Sequence, residues 1–194
     1  MKHSSNRELF EYWNKRRGRR SAPERGEIEP GAIRHVLADT FILAFETGAG
    51  HPFRIAGTRV CAAFGRELKG EGVLQLWSAE SGPAVRDLLA IVAHESIGLV
   101  AGACATTAEG CALEFELLVL PLSHGGRTDV RVLGALAPTE VPYWLGHAAL
   151  GRLSLGTVRF LGPEATAPVC RHHPPAPPVG RIRHGFVVYD GGQN

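Results

Sequence analysis

The chain has 194 residues, 44% of them hydrophobic and 21% charged, and a formal net charge of +2. That length suits one domain with extensions, and that composition excludes a disordered chain and a bundle of membrane helices. No apolar run is long enough to cross a bilayer, and the start "MKHSSNRELF" lacks the apolar stretch of a secretion signal, so a cytoplasmic protein is expected.

In chain order, "SNRELFEYWNKRR" places Ser5 and Glu8 at capping-box spacing, with Leu9, Phe10, Tyr12 and Trp13 near one side of a helical wheel. An amphipathic helix is predicted here, stopped at Gly18. A polar link follows, with a short helix from about Pro30. "TFILAFE" and "PFRIAGT" are predicted strands joined by the glycine-containing loop "TGAGH". "TRVCAAFGREL" has helical spacing at Val60, Ala63 and Phe64, and short turns then lead to "GVLQLW". "AVRDLLAIVAHES" is a clearer helix, with Val85, Leu88, Leu89 and Val92 on one face.

Three strands complete the core: "IGLVAGACATTAEG", "CALEFELLVLPLS" and "DVRVLGALAPT". In the second, Leu113, Phe115, Leu117 and Val119 are expected to face inward, and Glu114 and Glu116 outward as sheet-surface carboxylates. The order strand, strand, helices, three strands predicts an α+β fold, a five-stranded antiparallel sheet with helices on one face. Residues 1–38 form the N-terminal helix and link, 39–140 the core, and 141–194 a C-terminal extension. Within the extension, "RLSLGTVRFLG" is a strand that changes register at Gly156, because Leu153 and Leu155 have one parity and Val158 and Phe160 the other. "PEATAPVCRHHPPAPPVG" is a proline-rich linker, and "GFVVYDGG" has strand propensity.

The segments "ELFEYW" and "FRIAGTRVCAAFGRELKGEGVLQLW" carry an FR-x-AGT strand and an FGREL-x-G turn leading to Leu-Trp. Over about Glu8 to Pro138 the chain thereby resembles a bacterial family of single-domain PAS proteins. The resemblance implies a sensory or regulatory module that cups a small pocket under its helices and works through dimerisation and protein contacts. It defines no one ligand or cofactor, and no output segment such as a kinase or cyclase is recognised. It also makes Gly57, Gly65 and Gly70 turn-forming positions rather than chemical ones.

"GRELKGEG" has the glycine separation of a phosphate loop, but Glu71 and Gly72 stand where lysine and a hydroxyl belong. His94 falls about 180° from the apolar face of its helix, the wrong side for a haem ligand. "CRHH" groups Cys170, His172 and His173, with His184 further on, but lacks a second ligand pair. The four cysteines form no C-x-x-C and are expected as buried free thiols. "KRRGRR", Lys15 to Arg20, is a lone basic run that fits a solvated helix end better than a nucleic-acid interface.

No nucleophile–base pair, paired carboxylates or metal motif is recognisable, so the chain is not expected to be an enzyme. The residues that would line an interior pocket are Phe64, Trp77, Leu89, Phe115 and Leu117, with Arg59 and Cys61 as polar contacts. Ordinary core packing explains the apolar ones equally. Leu9, Phe10 and Trp13 are the expected homodimer interface, since such a helix face must be buried somewhere. The expected partners are a second copy and a signalling protein, with a possible small-molecule ligand. The alternative is a ligand-free interaction scaffold.

Overall fold

The structure is a computed structural model that describes residues 1–46, 48–161, 181–183 and 186–188. Its order is α1 (Ser4–Arg17), three 3-10 turns (Arg25–Glu27, Pro30–Ile33, Leu37–Asp39), β1 (Thr40–Ala44), β2 (Phe53–Ala56) and α2 (Thr58–Ala63). A 3-10 turn (Val73–Leu76), α3 (Gly82–Glu95), β3 (Gly98–Thr106), β4 (Ala112–His124), β5 (Arg127–Pro138) and β6 (Ser154–Leu161) follow. The antiparallel sheet and its intervening helices are those expected.

The sheet has six strands, in the order β2-β1-β5-β4-β3-β6, one more than expected. The extra strand, β6, pairs with the edge of β3, so the compact fold continues past residue 140. Ala101 pairs with Val158 and Ala103 with Leu155, which leaves one surplus residue on β6 beside Gly156. This bulge keeps both Leu155 and Val158 buried despite their opposite parity.

Both faces of the sheet are covered. On the inner face, α2, α3 and the turns between them bury Phe41, Leu43, Phe115, Leu117, Val119 and Leu136. On the outer face, Leu118, Leu120, Leu122 and Leu133 form a second core with Leu9 and Trp13 of α1 and with Ile28, Ile33 and Val36 of the link. The link is therefore part of the fold, with Ala22 and Ile28 buried. β4 reads as a continuous apolar run because alternate residues enter two different cores.

The helix caps differ from the prediction at one end of α1. His3 is its N-cap, with Nδ1 accepting from the Ser5 amide at 3.2 Å, and the Ser5 hydroxyl is used elsewhere. At the other end Gly18, at φ 57°, closes the helix by donating its N–H to the Asn14 carbonyl.

The glycines of "GRELKGEG" are architectural: Gly65 and Gly70 have φ of +64° and +88°. Glu71 accepts from Arg66 Nε at 3.1 Å. Gly57 serves by close approach, because a Cβ there would overlap the carbonyl oxygens of Leu37 and Ala38.

The expected linker over 163–180, with Cys170, His172 and His173, lies outside the described residues, as does His184. The terminal strand appears as β8 (Phe186–Val188), which pairs with β7 (Arg181–Arg183) in a separate two-stranded ladder.

Candidate functional site

Two groups of residues bring polar atoms into buried surroundings: the interior under α2 and α3, and the contacts that fasten α1 to the sheet. Six of the seven predicted pocket residues, Cys61, Phe64, Trp77, Leu89, Phe115 and Leu117, belong to one buried cluster on the inner face. Arg59 does not join them. It is on α2 but turns toward the outer face, where its guanidinium donates to both oxygens of Asp39 at 2.6 and 2.7 Å.

The interior holds polar atoms without partners among the described residues. These are Nε1 of Trp77 and Nδ1 of His51, whose residues are 3% and 1% exposed. Each is a hydrogen-bonding group removed from water, which costs free energy unless something meets it. His51 stacks on Phe45 with ring centroids 4.5 Å apart. Burial, aided by the charge of Arg86, holds its imidazole below the usual range and so favours the neutral ring. Burial likewise pushes the Cys61 thiol up, and the nearby Glu67 carboxylate adds to this. Cys61 is an unreactive core thiol.

The contacts under α1 are centred on two carboxylates. Asp39 is fully buried and accepts from Arg59 of α2 and from the Ser5 hydroxyl of α1, the latter at 2.9 Å. Glu116, on the outer face of β4, is also buried. It accepts from the backbone N–H groups of Lys2 at 2.6 Å and His3 at 3.0 Å, and from Asn6 Nδ2 at 3.1 Å. The expectation of two sheet-surface carboxylates thus holds for Glu114, which is exposed, and fails for Glu116, which α1 covers.

Burial raises the pKa of Glu116, but the donors of Lys2, His3 and Asn6 outweigh it, and the carboxyl lies below its usual value. A depressed carboxylate contributes stability that is complete above its unfolded pKa of about 4.3 and is lost as pH falls through the lower folded value. The wild type should therefore lose part of its hold on α1 below about pH 4. Glu116→Gln should flatten that acid limb, which thermal unfolding followed between neutral and acidic pH will test.

The face of α1 expected to form a dimer interface is used within the chain. Leu9 is fully buried and Trp13 4% exposed against the sheet, and Trp13 Nε1 donates to the Pro121 carbonyl at 2.8 Å. Phe10 is half-buried and stacks on Trp13. The apolar stripe thus needs no second copy to cover it. Part of the basic run is also spent internally, with Arg16 paired to Glu29 at 3.1 Å and Arg20 to Glu27 at 2.8 Å. Arg17 lies over the Trp13 ring.

His94 is exposed, as its position on the wheel required, and touches only the edge of Phe45 among the aromatic rings described. Cys104 and Cys111 are exposed, contrary to expectation, because they sit at and beside the turn that joins β3 to β4. No cluster of three or more metal-capable side chains occurs among the described residues. No helix among them is long and apolar enough to cross a membrane.

Two open cavities lie on the outer face. One, of about 330 Å³, is walled by Ile28, Ile33, Ile42 and Leu133. The other, of about 950 Å³, is a groove between the start of α1 and β3, bordered by Lys2, Arg7, Cys104, Glu114 and Thr157.

A mixed fold of this kind, an antiparallel sheet with helices packed over a closed inner core, is that of a PAS-type sensory domain. The PAS domain family matches residues 1–137, and the chain belongs to that family. β6 lies beyond the matched residues.

Among solved structures, the LOV protein of Rhodobacter sphaeroides is similar at 11% identity and a TM-score of 0.44, over 55% of this chain and 61% of that one. A light-oxygen-voltage domain studied with a flavin analogue is similar at 16% identity and a TM-score of 0.45, over 57% of this chain and 83% of the other. No curated protein matches the chain.

Proposed function

We propose that this chain is a regulatory PAS module in which the state of the interior is passed to the N-terminal helix, and from there to a protein partner. The observation that carries the reading is Asp39, a fully buried carboxylate held at once by Arg59 of α2 and Ser5 of α1. Val60, Cys61 and Ala63 of the same short helix are packed into the inner core. A ligand that shifts α2 must move Arg59 with it and disturb the anchor of α1 on the other face. The unpartnered Trp77 and His51 nitrogens are the groups a polar ligand or water would meet in that interior.

The activity is signalling rather than catalysis, and the second copy remains part of the proposal through surfaces other than the buried stripe of α1. A ligand-free scaffold is the second reading. It is favoured by the density of the inner core, where Phe64, Trp77, Leu89 and Phe115 are each 3% exposed.

Native mass spectrometry of the purified protein should show a bound small molecule, and its absence favours the scaffold. Coupling is tested by Cys61→Leu, which crowds α2 from the inner side. Hydrogen exchange should quicken in α1 as well as in α2. Faster exchange confined to α2 would show that no signal crosses Asp39.

A further inference from the structure

The outer-face cavity of about 330 Å³ lies on the opposite side of the sheet from the interior. Its walls are the side chains of the link and of β1, β2 and β5, among them Ile28, Ile33, Ile42 and Leu133, each 6% exposed or less. At its rim Ile55, on the edge strand β2, is 47% exposed. A large β-branched side chain left open beside an apolar hollow is a surface that gains by being covered.

The lining selects the chemistry of what covers it. It contains no aromatic ring, so nothing in it would stack on a planar ligand. The Thr40 hydroxyl is committed to the Val36 carbonyl at 2.8 Å, which removes one of the few donors. Arg25 is the single charged residue of the lining and has no ion-pair partner among the described residues. The carboxylates beside it in sequence are occupied: Glu24 accepts from the Ser123 hydroxyl at 2.6 Å and Glu27 from Arg20 at 2.8 Å. At roughly 30 Å³ per heavy atom, the share of a water molecule in the liquid, the hollow holds about ten heavy atoms.

We propose that this cavity binds a free medium-chain aliphatic carboxylate, its alkyl chain against Ile42, Ile55 and Leu133 and its headgroup on Arg25. A carboxylate supplies the anion that the guanidinium lacks, and an unbranched chain follows a wall of aliphatic side chains. The site is separate from the interior invoked above, so either assignment can fail while the other stands.

Octanoate is the probe, titrated into the full chain with the isoleucine and leucine methyl groups observed by NMR. Saturable shifts are expected at Ile42, Ile55 and Leu133, with octanol binding about tenfold more weakly for want of the charged hydrogen bond. Arg25→Gln should bring octanoate down to the affinity of octanol. Ile55→Asp, at an exposed position where the fold tolerates it, should abolish octanoate binding. The proposal is overturned by an absence of saturation at millimolar octanoate, by equal affinity for acid and alcohol, or by shifts centred on Leu89 and Leu117 in the interior. A wild-type dimer that Ile55→Asp splits, with no octanoate bound, would assign the hollow to a second copy and equally overturn it.

Discussion

Arg59→Met is expected to destabilise the protein by about 3 kcal/mol, because it leaves a fully buried carboxylate without its cation. Asp39→Asn should cost less, about 1 kcal/mol, although it breaks the same ion pair. The asymmetry comes from exposure: the Arg59 side chain is 37% exposed and can turn to water, whereas Asp39 is sealed. The double variant should be more stable than Arg59→Met alone, since it removes the stranded charge along with its partner. Urea titration of the four proteins gives the coupling. Equal losses from the two single changes, summing in the double, would mean that the pair does not act as a unit.

The same variant bears on signalling. With Arg59 gone, the Ser5 hydroxyl, 2.9 Å from Asp39, must share a carboxylate that now seeks other donors. Amide exchange in Ser4–Arg17 should therefore rise in Arg59→Met more than in an equally destabilised inner-core variant. If the two variants are matched in stability and α1 exchanges alike in both, Asp39 is a structural anchor and not a relay.

The residues that make this arrangement were only partly legible in the sequence. Strand parity placed Leu113, Phe115, Leu117 and Val119 on the inner face, and the register break at Gly156 announced the bulge in β6. The other parity of β4 carries a signal of its own: after Glu114 and Glu116 come Leu118, Leu120 and Leu122, a leucine row that only a second buried face explains. Such a row also means that a carboxylate in line with it, Glu116, sits at the margin of a core. What covers it could not be read locally, since Asn6 is 110 residues away along the chain.

The resemblance makes Arg59 a polar contact of the interior pocket, and in the structure it is not one. Its direction is set by Asp39, a contact between segments that sequence spacing does not encode. Likewise a helical wheel shows that Leu9 and Trp13 must be buried, but not whether the covering surface belongs to the same chain.

Trp13→Ala should cost about 3–5 kcal/mol, the range for removing a large buried aromatic side chain. Trp13 is 4% exposed, fills the outer core between Leu9 and the β4 leucines, and donates to the Pro121 carbonyl at 2.8 Å. Trp13→Phe keeps most of the ring volume and loses the donor, so about 1 kcal/mol separates it from wild type. Were the stripe of α1 a dimer interface, Trp13→Asp would turn a dimer into folded monomers. With the stripe docked on its own sheet, Trp13→Asp instead frees α1 and uncovers Leu118, Leu120, Leu122 and Leu133, an apolar face that associates with itself. Light scattering should then report a larger average mass for Trp13→Asp than for wild type, with helix content reduced. A smaller mass with unchanged circular dichroism would restore the helix to the interface between two copies.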